Sequence, residues 1–191
     1  MSLIRGVNSN TPKHLLLGAG AFYKNFVIGT DTPFNTSGKA KCIGATDGGG
    51  SFNATPEVRA VSVDGLPGKT KGLKTIDGWE ASITANAKEI TLGNMEIALA
   101  TASEATITGA KKVTVSHDIE DTDYLDNITW AGTLSDNATP VYIVLKNAFD
   151  ENGIGLTFKD RGEGVVALTL FANYDLDDLD TPPFEIIYPN A

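Results

Sequence analysis

Between residues 79 and 88 the chain alternates without a fault. Trp79, Ala81, Ile83, Ala85 and Ala87 fall on one side, and Glu80, Ser82, Thr84, Asn86 and Lys88 on the other. A period of two predicts a half-buried strand. Residues 51–64 predict a second strand, strongest over 58–63. The β-branched, breaker-free VVALTL anchors a third over 164–174. The run LLLGAGAFYKNF at 15–26 starts apolar but carries Gly18 and Gly20, which predicts a bent or bulged strand. Further strands are expected at 104–108, 112–117, 127–134, 140–147 and 154–159. The turn signals Thr108-Gly109, Ser135-Asp136-Asn137, Glu151-Asn152-Gly153 and Arg161-Gly162 separate them. Asn152-Gly153 between apolar runs is a hairpin signal.

One stretch reads as a helix: LGNMEIALAT, residues 92–101. Met95, Leu99 and Ala102 share a stripe at helical spacing. Thr91 stands where a cap belongs, although Asn94 is not the Glu or Gln of a capping box. Residues 1–13 read as a flexible polar entry, and 29–50 as a Gly-, Thr- and Asp-rich loop with a short strand at 41–45. Residues 64–78 lack any clean period. They carry glycines, Pro67 and the lysines Lys69, Lys71 and Lys74, which predicts a long inter-strand loop. Residues 1–191 are therefore expected to form one mainly β domain. It would be a sandwich or barrel with one flanking α-helix and a C-terminal docking segment at 181–191.

Length supports this picture. A chain of 191 residues buries about 70% of its unfolded surface on folding, so a core is possible without disulfides. Cys42 is the only cysteine, which excludes a disulfide framework and a cysteine zinc cluster and suits a reducing compartment. No run of 18 apolar residues is present and no apolar leader opens the chain, so neither a membrane span nor a signal peptide is expected. A formal charge of −9 argues against a grip on nucleic acid, which needs clustered Lys and Arg.

Candidate chemistry is sparse. Gly68-Lys69-Thr70 suggests a phosphate loop, but Val63 stands where its first glycine is needed and no helix follows. Gly18-Ala19-Gly20 has Tyr23 in place of the third glycine of a dinucleotide fingerprint. His14 and His117 share no metal-ligand spacing, and no nucleophile elbow places a serine. The acidic runs at 118–123 and 175–180 lack the glycine and glutamate of a calcium loop and read as solvated faces. Trp79, Trp130, Phe158 and Phe171 fall in predicted strands and read as core. No catalytic, cofactor or metal site is expected.

Several runs, taken in order, carry a resemblance. They are GAGAFYKNF at 18–26, GATDGG at 44–49, Val63-Asp64-Gly65 and Lys71-Gly72-Leu73-Lys74. PVYIVLKNA at 140–148, LTFKD at 156–160 and FANYDLDDLDTPPFEIIYP at 171–189 follow. In this order and spacing the chain resembles the major tail tube proteins of long-tailed bacteriophages, or a prophage equivalent. The resemblance implies a β-sandwich with a flanking helix, no enzymatic activity, and hexameric rings stacked into a tube through which phage DNA passes. It implies as partners further copies of the chain and tail proteins such as the tape measure and tail terminator. It places the protein in the virion after assembly in the host cytoplasm. A loop above about a dozen residues is usually functional. Asp64, Lys69, Lys71, Lys74 and Asp77 are therefore expected to reach a subunit of the adjacent ring. Phe184, Ile186, Ile187 and Tyr188, too apolar to be left in water, are expected to dock on the body of this or a neighbouring subunit. Two other readings compete: a tail-completion or baseplate relative, and a monomeric sandwich that binds sugar or peptide.

Overall fold

The computed structural model describes residues 6–8, 11–16, 18–33, 36–135, 139–156, 160 and 162–189, without the side chains of Pro12, Thr36 and Ser37. The described chain is mainly β. Its strands are β1 (Ala21–Lys24), β2 (Thr46–Ala60), β3 (Lys74–Ala87), β4 (Ala102–Ile107), β5 (Ala110–Val115), β6 (Leu125–Thr133), β7 (Pro140–Asp150), β8 (Val166–Phe171) and β9 (Phe184–Ile187). Two α-helices, α1 (Thr36–Lys41) and α2 (Leu92–Leu99), interrupt them.

The strands pair antiparallel, in the order β1-β6-β7-β8-β3-β2, and β4 pairs with β5 in a separate two-stranded sheet. β7 belongs to both halves of this sheet. One edge of β7 pairs with β6 from Pro140 to Ala148; the other pairs first with β9 over Tyr142–Leu145 and then with β8 at Phe149 and Asp150. The change of partner falls around Asn147, which takes a positive φ of 46°. Asn is one of the few side chains that tolerate that region. Asn147 Nδ2 donates to the Asn173 carbonyl, and Asn173 Nδ2 donates back to the Asn147 carbonyl at 2.8 Å. The sheet folds over there, so that β1-β6-β7-β9 faces β2-β3-β8 across one core.

The alternation read from residues 79–88 is realised in β3. Ala81, Ile83, Ala85 and Ala87 are buried, joined by Val166, Leu168 and Leu170 of β8. Opposite them stand Phe22, Ile128, Trp130, Val141 and Leu145. Trp130 donates its indole N–H to the Ala19 carbonyl at 2.9 Å. Its ring lies where a Cβ at Gly20 or Gly132 would come within 2.4 or 2.1 Å. Gly50 plays the same part for Phe22, whose Cζ would stand 2.5 Å from an added Cβ. These close approaches need residues with no side chain.

α2 caps as expected, with Thr91 Oγ1 accepting from Asn94 N at 3.2 Å. The buried stripe differs by one position. Asn94, Ile97 and Ala98 face inward, instead of Met95, Leu99 and Ala102. Asn94 is 3% exposed and its Nδ2 donates to the carbonyls of Ile43 and Glu89. A satisfied polar residue thus holds the place where periodicity looks for an apolar one.

Other boundaries move for physical reasons. The expected strand at 15–26 shrinks to β1, because Gly18 and Gly20 take positive φ angles and turn the chain before Ala21. Leu16 meets Leu134 by a single bridge. The expected strand at 41–45 is absent; α1 occupies 36–41, and Cys42 makes one bridge to Tyr23. β2 starts at Thr46, five residues earlier than the predicted 51, because Gly48 and Gly49 (φ 70° and 73°) absorb a bulge. Of the strand expected at 154–159, the described residues 154–156 show one bridge, from Leu156 to Val166. Residues 157–159, with Phe158, and parts of the turns at 135–137 and 161–162 lie outside the described residues. Asn152-Gly153 bends the chain, with Gly153 at φ 69°, and among the described residues no strand returns directly from it.

Candidate functional site

The sheet β2-β3-β8 has an outer face unlike its inner one. Pairing places Ser51 opposite Thr84, Asn53 opposite Ser82, Thr55 opposite Glu80, and Thr169 beside Thr84. With Glu57 these side chains make a face of hydroxyls, amides and carboxylates, and the lysine on that side, Lys88, lies at its end. Ser51 N and the Ser51 hydroxyl both reach Thr84 Oγ1, at 3.1 and 2.7 Å. Among the described residues β2 pairs with no strand other than β3, so its outer edge is open. β8 meets β7 at its last two residues, and on that same edge Leu156 bridges Val166 and Thr169 N donates to Asp150. Lys88 marks the end of this face, paired with Glu163 and, at 3.8 Å, with Asp47. The hydrogen bond to Glu163 raises the Lys88 pKa above its ordinary value and lowers that of Glu163.

β2 and β3 extend beyond the body as an arm. A second bulge, between Glu57 and Val58, resets the register there. Past it Val58 and Ile76 face each other and both are exposed, as are Val61, Val63 and Leu66. The arm's ladder runs to Ala60 opposite Lys74. The loop expected at 64–78 is therefore shorter, spanning 61–73, and Lys74 and Asp77 belong to β3. Asp77 is committed within the arm: Arg59 donates to both of its oxygens, at 2.6 and 3.1 Å. That contact raises the Arg59 pKa. Lys69, Lys71 and Lys74 enter no ion pair among the described residues, and Asp64 stands exposed in the same loop. No helix follows Gly68-Lys69-Thr70.

The C-terminal segment lies on its own chain. β9 pairs Phe184 to Ile187 against Leu145 to Tyr142. The Phe184 ring meets Trp79 edge-on at 5.4 Å and Phe52 at 5.7 Å, which ties the two halves of the sandwich together. Ile186, Ile187 and Tyr188 remain exposed. Before β9 the acidic run forms a compact turn: Asp175 accepts from Asp177 N at 3.0 Å and from Asp178 N at 3.1 Å. Leu176 is 87% exposed, and Leu179 is also open to solvent. This turn flanks the root of the arm, because Trp79 N donates to the Tyr174 hydroxyl at 2.8 Å.

Two further features escaped the sequence reading. A cleft of about 420 Å³ opens between the two halves, lined by Leu16, Phe22, Phe52, Trp130 and Ile143 with Gly48 to Gly50 at its mouth. Asp150, buried at the corner where β7 meets β8, accepts from Asn152 N, Gly153 N and Thr169 N. Burial pushes its pKa up, against those three hydrogen bonds. His14 and His117 are exposed and far apart in the chain. Among the described residues no group of three or more His, Cys, Asp or Glu could hold a metal ion, and no helix is long and apolar enough to cross a membrane. Compared with protein-family models and with curated proteins, the chain matches none.

Proposed function

We propose that this chain is a structural subunit that assembles with copies of itself into stacked hexameric rings, forming the tail tube of a long-tailed phage or prophage. The observation that carries this reading is the sheet β2-β3-β8. It has one face in the core, one polar face whose lysine, Lys88, is ion-paired at its end, and an open edge along β2. Open edges invite pairing with another chain. Six copies joined edge to edge would remove them, and a head-to-tail contact closes when its rotation divides the circle. A lining of hydroxyls and carboxylates would give phosphate nothing to grip, so that DNA slides and is not held. The arm supplies a long element that leaves the body, suited to reach a neighbouring ring. The tape measure and tail terminator would be further partners, and the virion the final location, after assembly in the host cytoplasm.

The test is assembly. Purified protein at rising concentration, followed by light scattering and negative-stain microscopy, is expected to give rings and tubes. Deletion of residues 67–75 is expected to abolish long tubes while the fold survives. A strict monomer at every concentration would end the proposal. The apolar cleft favours one alternative, a monomeric ligand-binding sandwich, since its volume falls in the range of small-molecule sites. Such a protein would stay monomeric and bind its ligand. A ring that never stacks would indicate a tail-completion or baseplate part.

A further inference from the structure

Beside the arm's root a second, smaller cleft of about 200 Å³ is lined by Asp126, Asp175, Asp178, Lys146 and Thr181. It is below the size of a small-molecule site but has room for one long side chain. Its only lysine is already committed, since Lys146 pairs with Glu185. The three aspartates make no ion pair among the described residues. Leu176 and Leu179 stand beside them as exposed apolar knobs. The arm's loop presents the complementary set: Lys69, Lys71 and Lys74 without ion-pair partners, among the exposed Val61, Val63 and Leu66. The ladder to Ala60 opposite Lys74 holds the arm extended past its own cleft, so guest and host belong to different molecules.

We infer that the arm of one copy docks into the acidic cleft of another, with a lysine of the loop entering among Asp126, Asp175 and Asp178 and the loop's apolar residues covering Leu176 and Leu179. Arm and cleft are different surfaces, so each copy gives one contact and receives one, head to tail. The inference rests on the self-assembly proposed above and names the surface that receives the arm. It joins opposite charges within an otherwise acidic chain, and it covers the most exposed leucine of the described molecule.

Charge reversal in the full chain tests it. One variant carries Lys69→Glu, Lys71→Glu and Lys74→Glu. The other carries Asp126→Lys and Asp178→Lys and leaves Asp175, which builds the turn, untouched. Each alone is expected to raise the concentration needed for assembly by about tenfold or more, with an unchanged circular dichroism spectrum. An equal mixture of the two is expected to assemble like the unaltered chain, because each restores the other's opposite charge. In a Cys42→Ser background, Lys71→Cys mixed with Leu179→Cys is expected to give an intermolecular disulfide under mild oxidation. If the unaltered chain assembles but the mixture is not rescued and no cross-link forms, the inference falls and self-assembly stands. If the unaltered chain never assembles, both fall.

Discussion

Replacing Asp150 with Asn is nearly isosteric, yet its cost should depend on pH in an unusual direction. One carboxylate oxygen of Asp150 accepts from Asn152 N at 2.9 Å and Gly153 N at 3.2 Å, and the other accepts from Thr169 N at 2.9 Å. An amide keeps only one acceptor oxygen. It serves the pair at 152 and 153, and Thr169 N–H is left facing an NH₂ group. Stranding one buried donor costs about 1–3 kcal/mol. A protonated carboxyl retains two oxygens, so the native side chain does not suffer this loss at low pH. Burial holds the folded-state pKa above the ordinary 3.8. Between those two values the folded protein binds more protons than the unfolded one, and stability falls as pH rises. The contribution is complete below 3.8 and is lost as pH climbs through the folded value. Asn does not titrate. The deficit of Asp150→Asn should therefore be largest in acid and shrink toward neutral pH, while every other titrating group cancels in the difference. Urea melts of both proteins at half-unit steps above pH 3.5 would measure it, at a concentration that keeps both monomeric. A constant offset, or a deficit that widens as pH rises, would refute the argument from burial. A deficit below about 0.5 kcal/mol throughout would refute the hydrogen-bond count.

Two further substitutions test the packing. Asn94→Ala removes the donor shared by the Ile43 and Glu89 carbonyls, and is expected to lower unfolding free energy by about 1–3 kcal/mol; an unchanged melt would mean that water replaces both bonds. Phe184→Ala removes the ring that bridges Trp79 and Phe52. Because that ring is only half-buried, the loss should fall at or below the low end for truncation of a buried Phe, about 2–3 kcal/mol, with faster amide exchange along Tyr142–Leu145; unchanged exchange there would show that β9 holds by its ladder alone.

The strands were most legible where chemistry alternates along the chain. Residues 79–88 and VVALTL announced β3 and β8 because one side of each meets the core and the other meets water. Features that depend on a distant partner were illegible. Nothing near Asn94 in sequence says that its amide will find the Ile43 carbonyl, so the stripe that periodicity picks out lies one residue away from the buried one. Val58 and Val63 looked like the heart of a strand, but they lie past the bulge at Glu57, where no second layer stands beneath them. Propensity describes a residue's own backbone, and burial depends on what arrives opposite. Likewise the acidic turn at 175–180 is readable as a turn, but its place beside the root of the arm depends on the hydrogen bond between Trp79 and Tyr174, and its nearness to Asp126 on a cleft that only the fold creates. Of the residues expected to make contacts, Asp77 is paired with Arg59 and Phe184 is packed against Trp79 and Phe52, two contacts that no local pattern announces.

β7 also governs how this chain can be cut and rejoined. It is the single strand shared by the two halves, so neither half retains a complete set of neighbours if the backbone is broken between Pro140 and Asp150. Protease nicks there should collapse the whole molecule in one step, with no surviving fragment. The loop at 61–73 lies at the other extreme. It ends a ladder, supports nothing beneath it, and should accept new chain termini by circular permutation or carry an inserted epitope without disturbing the core.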